Sequence, residues 1–363
     1  MRVHVTLIIP AALCVGWLAA CGSGEKRDTI DTPRVEGDLA HRLDRFLAQE
    51  ADSGWDGTVL VARDGQVILH RGYGSWNHAG VESVTTVTPF WIASISKQFA
   101  AVASLKLIEA GKLSLVDSLP KFFRNVPPDK QGIRLEQLLD HTAGLARKYA
   151  ADGIEDRERA VSAILAVPLD RKPGQEFGYS NDAYNLVAAI VEIASGTPYE
   201  QYLSDNLLRP AGLKHTGFWG PHEHPEVAPI RGQFADSANI RPNWGFRGAT
   251  GMFSTAGDLY RWNEALHAGK IISRSSLDAL LAPHTRSRKG FGVGYGWFSS
   301  RTSFGTPKIW TRGHEDFGHG AVLATYPKER TVIVVTSDAG DKDALPVSHR
   351  LSEQLEALIF ATP

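Results

Sequence analysis

Apolar and polar positions along this chain fall into two periods, and the elements they predict change type twice. Asp38 to Glu50 reads as an opening amphipathic helix. Thr58 to Ala62 and Gln66 to His70 form two apolar strands around Asp64-Gly65, a strong short-range hairpin signal. The run Phe90-Trp91-Ile92-Ala93 then leads into a mostly apolar helix over Gln98 to Gly111, with Phe99, Val102, Ala103, Leu105, Leu107 and Ile108 giving it a buried character and Gly111 a natural stop. From about Leu113 to Pro283 the pattern is mainly helical with long connections, including a helical run from Asp182 to Ala194 that ends at Ser195-Gly196. Strands return after Gly290: Ala321 to Tyr326 and Thr331 to Val335 flank Pro327-Lys328-Glu329-Arg330 as a second hairpin, and Ala344 to Phe360 closes the chain as a helix. Strands at both ends of a helical middle predict an α+β fold, in which one sheet is assembled from the N- and C-terminal portions and a helical lobe, roughly 113–283, is inserted.

The extreme N-terminus departs from these periods. Met1-Arg2 supplies a short positive start, Val5 to Ala20 is almost wholly apolar, and Leu18-Ala19-Ala20-Cys21 fits a lipobox. Residues 1–20 are therefore expected to be a signal peptide, with Cys21 the lipidated first residue of an exported bacterial lipoprotein facing the periplasm or cell exterior. A retained membrane anchor is the alternative, although Pro10 and Gly16 interrupt a run already short for spanning. Residues 21–37 then read as a polar tether and 38–363 as one domain. Of the two cysteines, Cys14 falls in the removed segment and Cys21 carries the lipid, so no disulfide or cysteine nucleophile is expected.

The 363 residues are 43% hydrophobic, enough for a substantial core, and the formal net charge of −1 gives no electrostatic case for a nucleic-acid partner. Three short segments carry candidate chemistry. In Ser94-Ile95-Ser96-Lys97 a hydroxyl and an ammonium lie three apart, side by side on the first turn of the apolar helix. A buried lysine loses proton affinity and can take the serine proton, while the helix start favours the negative charge of an acyl-transfer oxyanion. Ser94 as a helix cap and Lys97 as a solvated residue is the bland alternative. In Tyr179-Ser180-Asn181, which follows the turn-rich Pro173 to Gly178, alternate residues share a face: Tyr179 for proton transfer, Asn181 for substrate positioning. A capping Asn181 beside a packed Tyr179 is the equal alternative for that segment. In Trp310 to Gly318, His314 borders the same cleft on a strand, and a nearby N–H is a second oxyanion donor.

Taken in order, these pieces resemble the serine β-lactamase and penicillin-binding-protein-like family, in its class C, D-aminopeptidase and esterase branch. Its S-x-x-K corresponds to Ser94 to Lys97 and its Y-x-N to Tyr179 to Asn181; its H-x-G is most nearly matched by His314-Glu315-Asp316. Leu138 to Leu145 is similar to the family's L-L-x-H-T-S-G-L segment, Thr250 to Leu259 to its G-G-x-x-S-T-A-x-D-L helix start, and Gly294-Tyr295-Gly296-Trp297 to its glycine-tryptophan strand. His319-Gly320 competes for the third motif, but its spacing better suits a later glycine-phenylalanine pair. The resemblance implies a β-lactamase/DD-peptidase-like fold, an antiparallel sheet flanked by helices, with the site where sheet and lobe meet. It also implies roles: Ser94 as nucleophile, Lys97 as base, Tyr179 as proton relay, Asn181 and His314 on substrate or transition state, and the Ser94 and Phe317 N–H groups as the oxyanion hole. No metal or cofactor is called for.

Asp316 departs from the family, standing where glycine is expected. Its charge would repel acyl donors that carry a carboxylate beside the scissile bond, which favours small esters or D-amino-acid peptides over β-lactams as substrates. The expected activity is that of an esterase or D-amino-acid peptidase; a β-lactamase, or a slowly acylating penicillin-binding or sensor lipoprotein, is the alternative. His141 and Thr142 read as structural, and Pro221-His222-Glu223-His224-Pro225 as an exposed loop rather than a metal site.

Overall fold

The computed structural model describes residues 30–75, 82–218, 243–314, 319–338 and 346–361. Their strands are Arg34–Val35 (β1), Gly57–Arg63 (β2), Gln66–Tyr73 (β3), Phe90–Trp91 (β4), Gly217–Phe218 (β5) and Met252–Ser254 (β6) in the first part of the chain. Thr285–Arg286 (β7), Gly292–Val293 (β8), Phe298–Arg301 (β9), Pro307–His314 (β10), Gly320–Tyr326 (β11) and Thr331–Ser337 (β12) follow. The helices are Gly37–Asp52 (α1), Ser96–Glu109 (α2), Leu135–Leu139 (α3), Arg157–Ala166 (α4), Asn181–Ser195 (α5), Tyr199–Leu203 (α6), Arg209–Ala211 (α7), Ala256–His267 (α8), Arg274–Leu281 (α9) and Val347–Phe360 (α10).

Nine strands form one sheet in the order β1-β3-β2-β12-β11-β10-β9-β8-β7, every pair antiparallel. The first and last parts of the chain thus meet at β2 and β12, where Val61 faces Ile333 in register. The β2–β3 hairpin turns on Asp64 (φ 53°) and Gly65 (φ 76°), both left-handed as a two-residue turn of that hand requires. On one face of the sheet Leu43 and Leu47 of α1 and Leu351 and Leu355 of α10 bury against Val59, Val61, Val322 and Ile333. On the other face lie α2, α8 and the helical lobe around a larger core. Helix α2 is apolar almost all round and correspondingly buried almost all round, with Gly111 (φ 69°) just beyond its end.

The lobe contains something the helical pattern did not predict, a small sheet β4-β6-β5 that joins the approach to Ser94 to residues 252–254. The tether boundary also moves. Part of the segment expected to be free forms edge strand β1 on β3, and the two residues at the start of the described chain are fastened to the body. The Ile30 carbonyl is 2.6 Å from His70 Nδ1, Thr86 donates to the Asp31 carbonyl at 2.5 Å, and the Asp31 carboxylate pairs with Arg261 at 2.8 Å. Gly257 of α8 leaves room for this docking: a Cβ there would press on Ile30, Asp31 and His70 together. Cys21 and the His222/His224 segment lie outside the described residues. Among those residues no helix is long and apolar enough to cross a membrane.

Candidate active site

Ser94 sits in a single 3-10 turn, Ala93–Ile95, that runs directly into α2. Ala93 before it holds φ at 47°, a left-handed conformation that costs an alanine energy and that recurs at functional turns. The helix takes Ile95 as its cap residue without any side-chain bond, so the Ser94 hydroxyl is not spent on capping. That hydroxyl is partly exposed, accepts a hydrogen bond from Tyr179 Oη at 2.7 Å and lies 3.1 Å from Lys97 Nζ.

Lys97 is 2% exposed, which rules out a solvated first-turn lysine. Besides Ser94, its Nζ meets Asn181 Oδ1 at 2.8 Å and the Ala249 carbonyl at 2.9 Å. It also lies 4.8 Å from the centroid of the Tyr179 ring. The capping alternative at the second motif is settled by the residue between the two candidates: Ser180 caps α5, accepting from Ala183 N–H at 3.2 Å. Extended backbone at Ser180 puts Tyr179 and Asn181 on the same side, and both reach the Ser94–Lys97 pair.

Tyr179 is held in place from behind. His141, another left-handed residue (φ 61°), stacks its ring on the tyrosine at 4.5 Å, accepts Ser180 N–H at Nδ1 (3.2 Å) and accepts Gly178 N–H at its carbonyl (2.8 Å). Burial first, and Lys97 second, hold the His141 ring well below the usual histidine range, so it stays neutral and keeps an acceptor for Ser180. The structural role expected of His141 is therefore the support of the tyrosine. Arg147 stands on the outer side, its guanidinium 5.8 Å from the Tyr179 ring centroid. Asp182, next to Asn181, accepts the Ala150 N–H, and burial pushes its carboxyl up to about 6.

Two backbone segments complete the wall. Residues 249–252 lie along the start of α2: Ile92 N–H bonds the Met252 carbonyl at 3.0 Å, Met252 N–H bonds Ser96 Oγ at 3.2 Å, and Trp91 Nε1 donates to the Thr250 carbonyl. This is the stretch noticed only as a family match; the Ala249 carbonyl had no signal, because a backbone acceptor has no residue signature. Strand β10 approaches from the other side through Gly313, where a Cβ would strike the Ile92 carbonyl and lie 2.8 Å from Ser94 N. His314 ends this strand, its ring centroid 6.5 Å from that of His349 on α10. His319, the rival for the third motif, is fully buried and accepts Trp91 N–H at Nδ1 (3.0 Å), a structural post under the approach to the serine. Glu315, Asp316, Phe317 and Gly318 lie outside the described residues.

The chain resembles known proteins in sequence and in fold. The family described as Beta-lactamase matches residues 43–355. The chain is 28% identical over 243 residues to PbpX of Bacillus subtilis (strain 168), named as a penicillin-binding protein; the match covers 66% of this chain and 62% of that protein, under two thirds of its length. Its fold is shared with the D-amino acid amidase from Ochrobactrum anthropi SV3 (TM-score 0.77, 20% identity, 90% of this chain and 100% of that one). It is shared too with EstCE1, described as a hydrolase with promiscuous acyltransferase activity (TM-score 0.73, 23% identity, 89% and 98%). The chain belongs to the beta-lactamase family of serine hydrolases.

Proposed function

We propose that this member of the beta-lactamase family hydrolyses small esters or amides through an acyl-enzyme on Ser94, as an esterase or D-amino-acid peptidase. The observation that supports this most directly is a serine oxygen held by both a lysine (3.1 Å) and a tyrosine (2.7 Å). A neutral Lys97 has two N–H donors and one lone pair. Asn181 Oδ1 and the Ala249 carbonyl take the two donors, which aims the lone pair at the Ser94 hydroxyl. The burial of Lys97 penalises its charged form and favours this arrangement.

In the first step Ser94 Oγ attacks the carbonyl carbon as its proton passes to Lys97. The tetrahedral oxyanion is met by N–H groups at the start of the serine helix, with Phe317 N–H as the second donor by family resemblance; each donor is worth about 3 kcal/mol. Tyr179 delivers a proton to the leaving alcohol or amine, and Lys97 replenishes it. Water then attacks the acyl-enzyme by the reverse route. An Asp316 carboxylate facing the cleft, where the resemblance puts the third motif, would spare neutral esters, which supports the esterase type. The D-amino acid amidase and the hydrolase with promiscuous acyltransferase activity among proteins of the same fold support acyl-transfer chemistry of this kind. The relative named as a penicillin-binding protein favours slow acylation by β-lactams as a second reading.

A fluorophosphonate probe should add one adduct to the wild-type protein by intact-mass spectrometry and none to Ser94→Ala. Lys97→Ala should lower the rate of labelling about 10²–10⁴-fold with the fold retained. Labelling unchanged in Ser94→Ala would remove the proposal. Turnover of p-nitrophenyl esters, D-alanyl peptides and a chromogenic cephalosporin then separates the two readings. We further propose that Cys21 anchors the protein to a membrane by lipid; Cys21→Ser should move it to the soluble fraction, and retention would refute the anchor.

A further inference from the structure

On the face of the sheet turned away from Ser94, a cavity of ≈ 260 Å³ opens between β9–β10 and α10. Strand alternation explains how one strand serves both sides. Gly313 is turned to Ser94, whereas Arg312, one residue earlier and in register with Val322, is turned to α10 together with Trp310.

Arg312 is unusual in its surroundings. A guanidinium has five donors and pairs best with a planar acid. Among the described residues, however, Arg312 makes no hydrogen bond and no ion pair; it lies over the Trp310 ring, 5.1 Å from its centroid. Some of the other polar groups of the cavity are provided for, although both ring nitrogens of His349 are buried without a hydrogen-bond partner among the described residues. Lys308 pairs with Glu356 at 2.7 Å, and Glu356 also accepts from Tyr326. Trp310 is itself fixed, donating from Nε1 to Ser300 Oγ at 2.9 Å and meeting Phe291 edge-on at 5.6 Å. Lys289 adds an exposed positive charge at the rim. Against these stands Glu353, close enough to Arg312 for their charges to interact, but not within ion-pair distance; Tyr179 of the Ser94 cluster also lies within reach of the Arg312 charge, through the sheet.

We propose that this cavity is a second binding site, separate from the Ser94 cleft, for a small carboxylate with a flat apolar body. The carboxylate would engage Arg312, which otherwise remains partly desolvated without an acceptor, and the apolar body would lie on Trp310 and Phe291. Glu353 works against the ligand and sets its affinity low. The site does not depend on acyl-enzyme chemistry, so binding to Ser94→Ala is independent of the proposed hydrolase activity, and only the comparison with the fluorophosphonate adduct rests on that reading.

Benzoate and its neutral isostere benzamide are the probes, followed by tryptophan fluorescence and calorimetry on Ser94→Ala and on wild type carrying the fluorophosphonate adduct. Benzoate should bind saturably and equally to both proteins, at least about ten times more tightly than benzamide. Arg312→Gln should weaken benzoate about tenfold or more, Lys289→Gln a few-fold, and Glu353→Gln should tighten it a few-fold. Lys289 is exposed and Glu353 unpaired, so these two variants decide the matter even where Arg312→Gln fails to fold. Equal binding of benzamide, indifference to all three substitutions, loss of binding on the fluorophosphonate adduct, or no saturable binding at millimolar benzoate would each overturn the proposal.

Discussion

Arg312 and Gly313 are neighbours on β10, yet they face regions built on opposite terms. On the Gly313 side, Ser94, Lys97, Tyr179 and Asn181 bond to one another, and the tyrosine is further fixed by a neutral histidine. On the Arg312 side a guanidinium rests on an aromatic ring with no acid in contact among the described residues. The first region has its polar partners built in and needs only a carbonyl to act on. The second leaves its strongest donor without one, which is how a binding site for an external anion differs from a preorganised catalytic cluster.

The contrast is broken most directly at the point where β10 touches the serine. Gly313→Ala would place a methyl group against the Ile92 carbonyl and Ser94 N, backbone atoms that cannot move aside as a side-chain tip can. We expect a loss of about 1–3 kcal/mol in denaturant unfolding and a still larger loss in the rate of Ser94 labelling. A stable, fully active Gly313→Ala would mean that the strand does not bear on the nucleophile.

A smaller effect should follow from loosening the support of Tyr179. His141→Phe keeps a ring for stacking but removes the Nδ1 acceptor, leaving the Ser180 N–H buried and unpaired at a cost of about 1–3 kcal/mol. Turnover of a p-nitrophenyl ester should fall about tenfold through kcat with KM little altered. An equal rise in KM would assign His141 to substrate binding instead.

Asp182 offers the finest distinction, through pH. Its carboxyl, pushed up to about 6 by burial from an ordinary 3.8, binds its proton more tightly in the folded chain than in the unfolded one. Its contribution is therefore most favourable below pH ~4 and is lost as pH rises through about 6. Relative to Asp182→Asn, wild type should lose about 1–2 kcal/mol between pH 4 and 7, after allowing for partial solvent screening, and stay level above that. Melting curves of the two proteins that remain parallel over this range would show that Asp182 titrates normally.

Local spacing made the core of the site readable in the sequence. Ser94 and Lys97 are joined by helix geometry, and Tyr179 and Asn181 by an extended step before a helix, so each pair is fixed within a few residues. The hairpins at Asp64-Gly65 and Pro327–Arg330, and the stop at Gly111, were legible for the same reason: the turn residues themselves hold the required dihedrals. The rest depends on partners far away along the chain. The Ala249 carbonyl reaches Lys97 across 152 residues. The strands of β1 and of the β4-β6-β5 sheet are only two or three residues long, too short for an alternating pattern to register. Arg312 was visible as a charge beside the third motif, but which face of β10 it occupies follows from the register with β11.

The clamp on Ile30 and Asp31 gives the proposed lipid anchor a fixed working radius. Eight residues lie between Cys21 and Ile30, and the nine steps from one to the other, at ~3.3–3.6 Å each, reach at most ~32 Å. Because Arg261, His70 and Thr86 grip the chain at that point, a lipid at Cys21 would tether the protein from one spot beside α8 rather than from the start of α1. An enzyme moored so closely would survey only a thin layer above the bilayer, meeting substrates by lateral diffusion of the whole protein in the membrane plane.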